Sequence, residues 1–178
     1  MDEAYGDYMD DDQTALSLVP EFDNLAVVRT FSKGFGAAGV RLGYCIAQPQ
    51  IMAAFHKVNI PFSKNSLADA FAIQAMQARW AQKTLERVKQ DKPKLLAALA
   101  ECEHLHVAHT SPGVSISMLY VDDEQINLEK VLSHAGVRVV TCSGYDGLGC
   151  NAIRLNLHED IDTLTNLVRK ADDLVLHA

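Results

Sequence analysis

The 178 residues are 48% hydrophobic and 22% charged, which suits a packed core and excludes a disordered chain. The formal net charge is -7, so a nucleic-acid partner lacks its basic footprint, and no apolar span or basic-then-apolar leader marks a membrane segment or a signal peptide. Cys45, Cys102, Cys142 and Cys150 are widely spaced without a C-x-x-C pair, and the histidines are scattered; reduced thiols in a cytoplasmic protein are expected, with no disulfide framework and no metal site.

Residues 1 to 24 open on what reads as a strand end and pass an acid cluster, Asp7, Asp10, Asp11 and Asp12. The cluster lacks calcium-loop spacing and reads as a solvated loop. A short helix is expected at Thr14 to Leu18, stopped by Pro20. The apolar, β-branched run from Leu25 to Thr30 predicts a strand and Val40 to Ala47 a second. Their short connection predicts antiparallel neighbours at the edge of an otherwise parallel sheet. A helix from Pro49 to Lys57 should break at Ile60-Pro61-Phe62. An amphipathic helix follows over Ser66 to Gln82, capped by Asn65 or Ser66, and a longer one over Lys83 to Glu101, bent at Pro93. From His104 the pattern reads strand, strand, helix, strand, strand, helix. The strands are His106 to His109, Val114 to Val121, Val137 to Cys142 and the segment around Arg154, with Pro112-Gly113 turning between the first two. Asn127 to Ala135 is a helix stopped by Gly136, and Asp160 to Leu176 closes the chain as an amphipathic helix.

One stretch carries chemistry: Arg29-Thr-Phe-Ser-Lys-Gly-Phe-Gly-Ala-Ala-Gly-Val-Arg-Leu-Gly-Tyr44. Lys33 stands between a strand and a glycine-broken loop that Arg41 closes. Small hydroxyls, free N–H groups and a guanidinium fork suit a phosphate. The glycines match neither the P-loop nor the dinucleotide fingerprint, so nucleotide binding is not expected. A lysine beside a phosphate pocket suggests instead an amine that forms a Schiff base with a phosphorylated aldehyde.

Ser32-Lys33, Gly39, Arg41 and Gly43 resemble the lysine signature of the class I/II aminotransferases, fold-type I pyridoxal-phosphate enzymes. The fuller run is most similar to the branch containing histidinol-phosphate aminotransferase and threonine-phosphate decarboxylase. Asp2-Glu-Ala-Tyr5 stands where that family carries Asp-x-x-Tyr, Pro61-Phe-Ser-Lys-Asn-Ser66 resembles a segment preceding one of its helices, and Ala152-Ile-Arg-Leu-Asn-Leu157 resembles its carboxylate-binding strand. Alone, Asp2 and Tyr5 would be ordinary residues of an exposed start and Arg154 a surface strand residue; the joint pattern carries the assignment.

The resemblance implies pyridoxal 5'-phosphate as cofactor, with Lys33 as Schiff-base and proton-transfer residue and Asp2 as partner of the pyridinium nitrogen. Tyr5 would meet the ring hydroxyl, Thr30, Ser32 and Arg41 the phosphate, and Arg154 the substrate carboxylate. It implies an α/β fold: the C-terminal part of a PLP-dependent transferase major domain in residues 1-82, then a complete α+β small domain in residues 83-178. Amino acid and 2-oxo acid substrates and a homodimer are implied as well. Because only the C-terminal half of the family pattern is covered, the chain is expected to be a fragment or truncated product. The alternatives are a decarboxylase or lyase of the same fold and a non-catalytic chain that folds by self-association. Pro112-Gly-Val-Ser-Ile116 replaces the Ala-Asn-Phe of histidinol-phosphate aminotransferases, so imidazole phosphate is not assigned as substrate.

Overall fold

A computed structural model describes residues 1–60, 63 and 66–176. The expected break at Pro61-Phe62 and a cap by Asn65 lie outside the described residues. The chain divides into two units, Met1–Glu86 and Arg87–Ala178.

In the first unit, β1 (Ala26–Thr30) pairs antiparallel with β2 (Gly43–Ala47), in a register running from Ala26↔Ala47 to Thr30↔Gly43. On its other side β1 meets the start of the chain in parallel: the Val28 N–H donates to the Met1 carbonyl at 3.0 Å and the Glu3 N–H to the Val28 carbonyl at 2.9 Å. A parallel and an antiparallel neighbour therefore flank one strand, the mixed arrangement its short connection predicts. The second strand starts later than the apolar run suggests, because Ala38–Val40 winds into a 3-10 turn and Arg41 takes a left-handed φ of 56°.

Three helices follow, α1 (Pro49–Val58), α2 (Ser66–Gln77) and α3 (Trp80–Ala100). The sequence predicts a boundary near residue 82. The chain breaks earlier, at Arg79, where φ is 55° and the N–H turns to the Met76 carbonyl. Helix α3 then runs through Pro93 without interruption. Val27, Phe31, Ala37 and Ala72 are buried in small clusters with Ala15 and Val19.

The second unit holds a four-stranded sheet in the order β3-β4-β6-β5, antiparallel at every pairing, from β3 (His106–Val107), β4 (Ile116–Tyr120), β5 (Val140–Thr141) and β6 (Ala152–Asn156). Helix α4 (Leu128–Ala135) starts where the Asn127 side chain accepts the Lys130 N–H at 3.0 Å and ends at Gly136, whose φ of 103° suits glycine. That cap draws the Val137 N–H to the Leu132 carbonyl at 2.8 Å, which explains why β5 begins at Val140 and not at Val137. Helix α5 (Ile161–Val175) is capped by Asp160 and buries Ile161, Leu164, Val168, Ala171 and Val175 at the helical spacing. Leu119, Leu128, Leu132 and Ile153 are wholly removed from water, each contributing about 1.5–3 kcal/mol of hydrophobic stabilisation.

Lys92 and Asp172 are buried charges of this core. Lys92 of α3 donates to the Val114 carbonyl at 3.1 Å and to the Ile116 carbonyl; burial pushes its pKa down. The Asp172 carboxylate accepts three successive N–H groups, from Glu103 at 2.8 Å, His104 at 2.9 Å and Leu105 at 2.7 Å. Among the described residues no helix is long and apolar enough to cross a membrane.

Candidate functional site

The turn that carries Lys33 is fixed from beneath by Phe31. Its ring is buried against Phe35, at 4.6 Å between centroids, and Tyr44, at 5.8 Å. Its N–H donates to the Leu42 carbonyl at 3.1 Å and its carbonyl accepts from Ala37 at 2.9 Å. With both ends of the turn tied, Lys33 is left on the exposed crest. Its Nζ lies 5.4 Å from the centroid of the Tyr5 ring, within cation–π range. The structure thus brings together two of the residues singled out in the sequence, across a separation of 28 positions in the numbering of Tyr5 and Lys33.

Thr30 and Ser32 share this turn. The Ser32 N–H donates to the Thr30 hydroxyl at 3.1 Å, and the Thr30 hydroxyl stands 3.0 Å from Ser32 Oγ and 3.3 Å from the Leu42 carbonyl. Arg41 is exposed, and its Nη1 donates to the Ala38 carbonyl of its own turn at 2.9 Å. A left-handed backbone at a non-glycine residue costs roughly 1–2 kcal/mol. Asp2 is exposed too, its carboxylate accepting the Ala4 N–H at 2.9 Å. Asp2, Tyr5, Gly6, Met9 and Gln13 contribute to the wall of a depression of about 600 Å³.

A second set of residues beneath the turn carries no role in the motif reading. The Glu3 carboxylate is buried and takes the Ala15 N–H at 2.6 Å, the Thr14 hydroxyl at 2.8 Å, and the Arg29 Nε and Nη2 at 3.1 and 2.9 Å. Arg29 Nη2 also reaches Thr14 Oγ1 at 2.9 Å. Burial alone would push Glu3 upward, but these hydrogen bonds and the guanidinium charge hold it below the usual carboxylate range. Asp7 is pushed up by burial despite the nearby Arg29 charge, and Tyr44 is pushed up by burial and by the Asp7 charge. One signal for this network exists in the sequence: strand alternation puts Arg29 on the same side as Val27, and a cation on a core-facing side requires a carboxylate. Which carboxylate could not be read, because Glu3 is 26 residues away.

Arg154 belongs to the second unit. It occupies β6, in register with Met118 of β4 and Val140 of β5. Its Nε is buried and has no hydrogen-bond partner, as does Ser117 Oγ. A buried donor left unpaired costs about 1–3 kcal/mol, so a guanidinium in this state suits an oxyanion that completes it. The buried Cys142 thiol is pushed up by burial, against the pull of the Arg154 charge. Among the described residues no group of side chains could hold a metal ion.

An exposed amine beside a phenol, with two hydroxyls and a guanidinium on the same loop, can hold a phosphorylated aldehyde: the amine reacts with the carbonyl while the other groups meet the phosphate. The residues present therefore fit pyridoxal 5'-phosphate.

A sequence model described as aminotransferase class I and II matches residues 1–170. Histidinol-phosphate aminotransferase 1 of Cupriavidus pinatubonensis is 34% identical over 148 residues, covering 82% of this chain and 39% of that protein. An aromatic amino acid aminotransferase of Mycobacteroides abscessus is 41% identical over 105 residues, covering 57% of this chain and 30% of that protein. The crystal structure of L-threonine-O-3-phosphate decarboxylase from Porphyromonas gingivalis shares the fold with a TM-score of 0.82 at 18% identity, over 99% of this chain and 54% of that one. The chain spans less than half the length of these two curated relatives.

Proposed function

The chain belongs to the class I and II aminotransferase family, and we propose that it is part of a pyridoxal-phosphate-dependent enzyme that moves an amino group between an amino acid and a 2-oxo acid. The observation that carries this reading is the Lys33 amine held 5.4 Å from the Tyr5 ring, on a turn whose next hydroxyls are Ser32 and Thr30. When bound, pyridoxal 5'-phosphate supplies an electron sink for the substrate α-carbon. Lys33 would hold it through its amine and would serve as the base that moves the α-proton. Asp2 would pair with the pyridine nitrogen and keep it protonated, and Tyr5 would hydrogen-bond the ring hydroxyl. Thr30, Ser32 and Arg41 would hold the phosphate. Arg154 takes the substrate carboxylate in its fork, a role supported by its unpaired Nε.

Residues 1-82 act as part of the cofactor-binding domain and residues 83-178 as the small domain, a reading supported by the structural division after Glu86. We place the protein in the cytoplasm as a homodimer; exposed Leu67, Ile73 and Met76 on α2 support association with a second copy. A decarboxylase of the same fold would use the same anchor, and analysis of the products formed from candidate amino acids separates the two. The test of the anchor is direct. Pyridoxal 5'-phosphate added to the chain should give a visible absorption band that Lys33→Ala abolishes; a spectrum identical for both proteins would overturn the reading for this chain.

A further inference from the structure

We infer that Arg29 is a positioning residue: its guanidinium, forked onto Glu3 and Thr14, holds the first fifteen residues against β1 and so sets the approach of Lys33 to Tyr5. The inference rests on the reading of Lys33 as the cofactor anchor. Arg29 is one residue before Thr30, and its effect is transmitted through two segments that cross at the site.

The first segment carries Tyr5. Glu3, two residues before it, is bound by three partners at once: the Arg29 fork, the Thr14 hydroxyl and the Ala15 N–H. Directly after Tyr5, Gly6 lies under the guanidinium so closely that a Cβ built there would stand 2.7 Å from Arg29 Nε. Tyr5 is thus bracketed on both sides by contacts to one side chain. The second segment carries Lys33. Gly34 is packed on Asp7, where an added Cβ would fall 2.4 Å from Asp7 Cβ and 2.6 Å from Oδ2. Asp7 lies in the field of the same guanidinium. The turn of Lys33 therefore rests on the segment that Arg29 fixes, and the phenol and the amine cannot shift independently. The Arg29 and Glu3 side chains are 13% and 3% exposed, which screens the pair from solvent and makes its geometry strict. Lysine could replace the charge but not the paired Nε and Nη2 bonds that converge on Glu3 Oε2.

The experiment compares the chain with Arg29→Met and with the double variant Glu3→Gln, Arg29→Met, which removes both buried charges. Two readouts are taken on each. The first needs no cofactor: the ring-current shift that Tyr5 imposes on the Lys33 side-chain protons, identified with Tyr5→Leu. The second is borohydride trapping of pyridoxal 5'-phosphate, scored by peptide mapping as the ratio of Lys33 to the exposed Lys130. Arg29→Met should abolish the shift and lower the ratio about tenfold. The double variant should regain its unfolding midpoint but neither readout, since no fork is restored. Persistence of the shift in Arg29→Met, or its return in the double variant along with stability, would overturn the inference and leave Arg29 a merely structural group. A native chain that shows the shift but traps no more cofactor at Lys33 than at Lys130 would sink the proposed function, while loss of the shift in Arg29→Met would still uphold the positioning role.

Discussion

The two units of this chain solve burial differently. Among the described residues, of the twelve largest side chains that are fully removed from water, eleven lie beyond Glu86 and Val27 alone lies before it. The exposed large apolar residues divide the opposite way, with twelve of fifteen among the described residues in the first unit. The second unit holds itself by apolar burial on its sheet and on helices α3, α4 and α5, pinned by Lys92 and Asp172. The first places its strict geometry in a polar network of Glu3, Thr14 and Arg29, beside the residues proposed to do chemistry. Burial of large side chains gives stability without direction, whereas hydrogen-bonded charge fixes angles and distances at some energetic cost.

This contrast can be broken experimentally. Trp80 is the only tryptophan and packs edge-on against Phe71 at 5.5 Å, so its fluorescence reports on the first unit while far-UV circular dichroism reports on both. Ile153→Ala should cost about 3–4 kcal/mol by emptying a wholly buried site. In denaturant it should move the dichroism transition and leave the Trp80 transition in place; coincident shifts would mean that the units unfold as one. Asp172→Ala should cost about 3 kcal/mol, because three N–H groups lose a charged acceptor, and it should move the same transition.

Glu3→Gln acts on the other side of the comparison and should cost about 2 kcal/mol at neutral pH, read by Trp80. Its pH dependence has a definite sign. The folded state holds the Glu3 carboxyl below its ordinary value of 4.5, so the stabilisation is present above that value and is lost as pH falls through the lower folded pKa. The native chain should lose first-unit stability across that window, and Glu3→Gln should lack that part of the slope. The smallest effect belongs to Asp7→Asn. The folded state raises this carboxyl above its ordinary value of 3.8, so its ionised form opposes folding at neutral pH. The amide variant should therefore gain stability at pH 7, and the gain should vanish once pH falls below the unfolded pKa.

Much of the second unit was legible because its signals are local. The alternation along Ile153 and Leu155, the spacing of Leu164, Val168 and Ala171, and the Asn127 and Gly136 caps all act within a few residues. The element order follows from them, and in this unit the strand ends differ, as where Val137 is taken by the cap. The lysine turn was legible for another reason, its resemblance to a known motif. The network beneath it was not, since a pairing of Glu3 with Arg29 leaves no periodic trace in the chain.

Arg41 and Arg79 are the two described residues other than glycine with positive φ, at 56° and 55°. Replacing either by glycine relieves the same backbone strain, so a screen for thermal tolerance alone would accept both changes. On the proposal that Arg41 holds the cofactor phosphate, a screen that also demanded retention of the cofactor would keep Arg79→Gly and reject Arg41→Gly. Two positions with one backbone geometry thus act as a matched pair, in which a difference in fate reports what the side chains do, that of Arg41 including its bond to the Ala38 carbonyl.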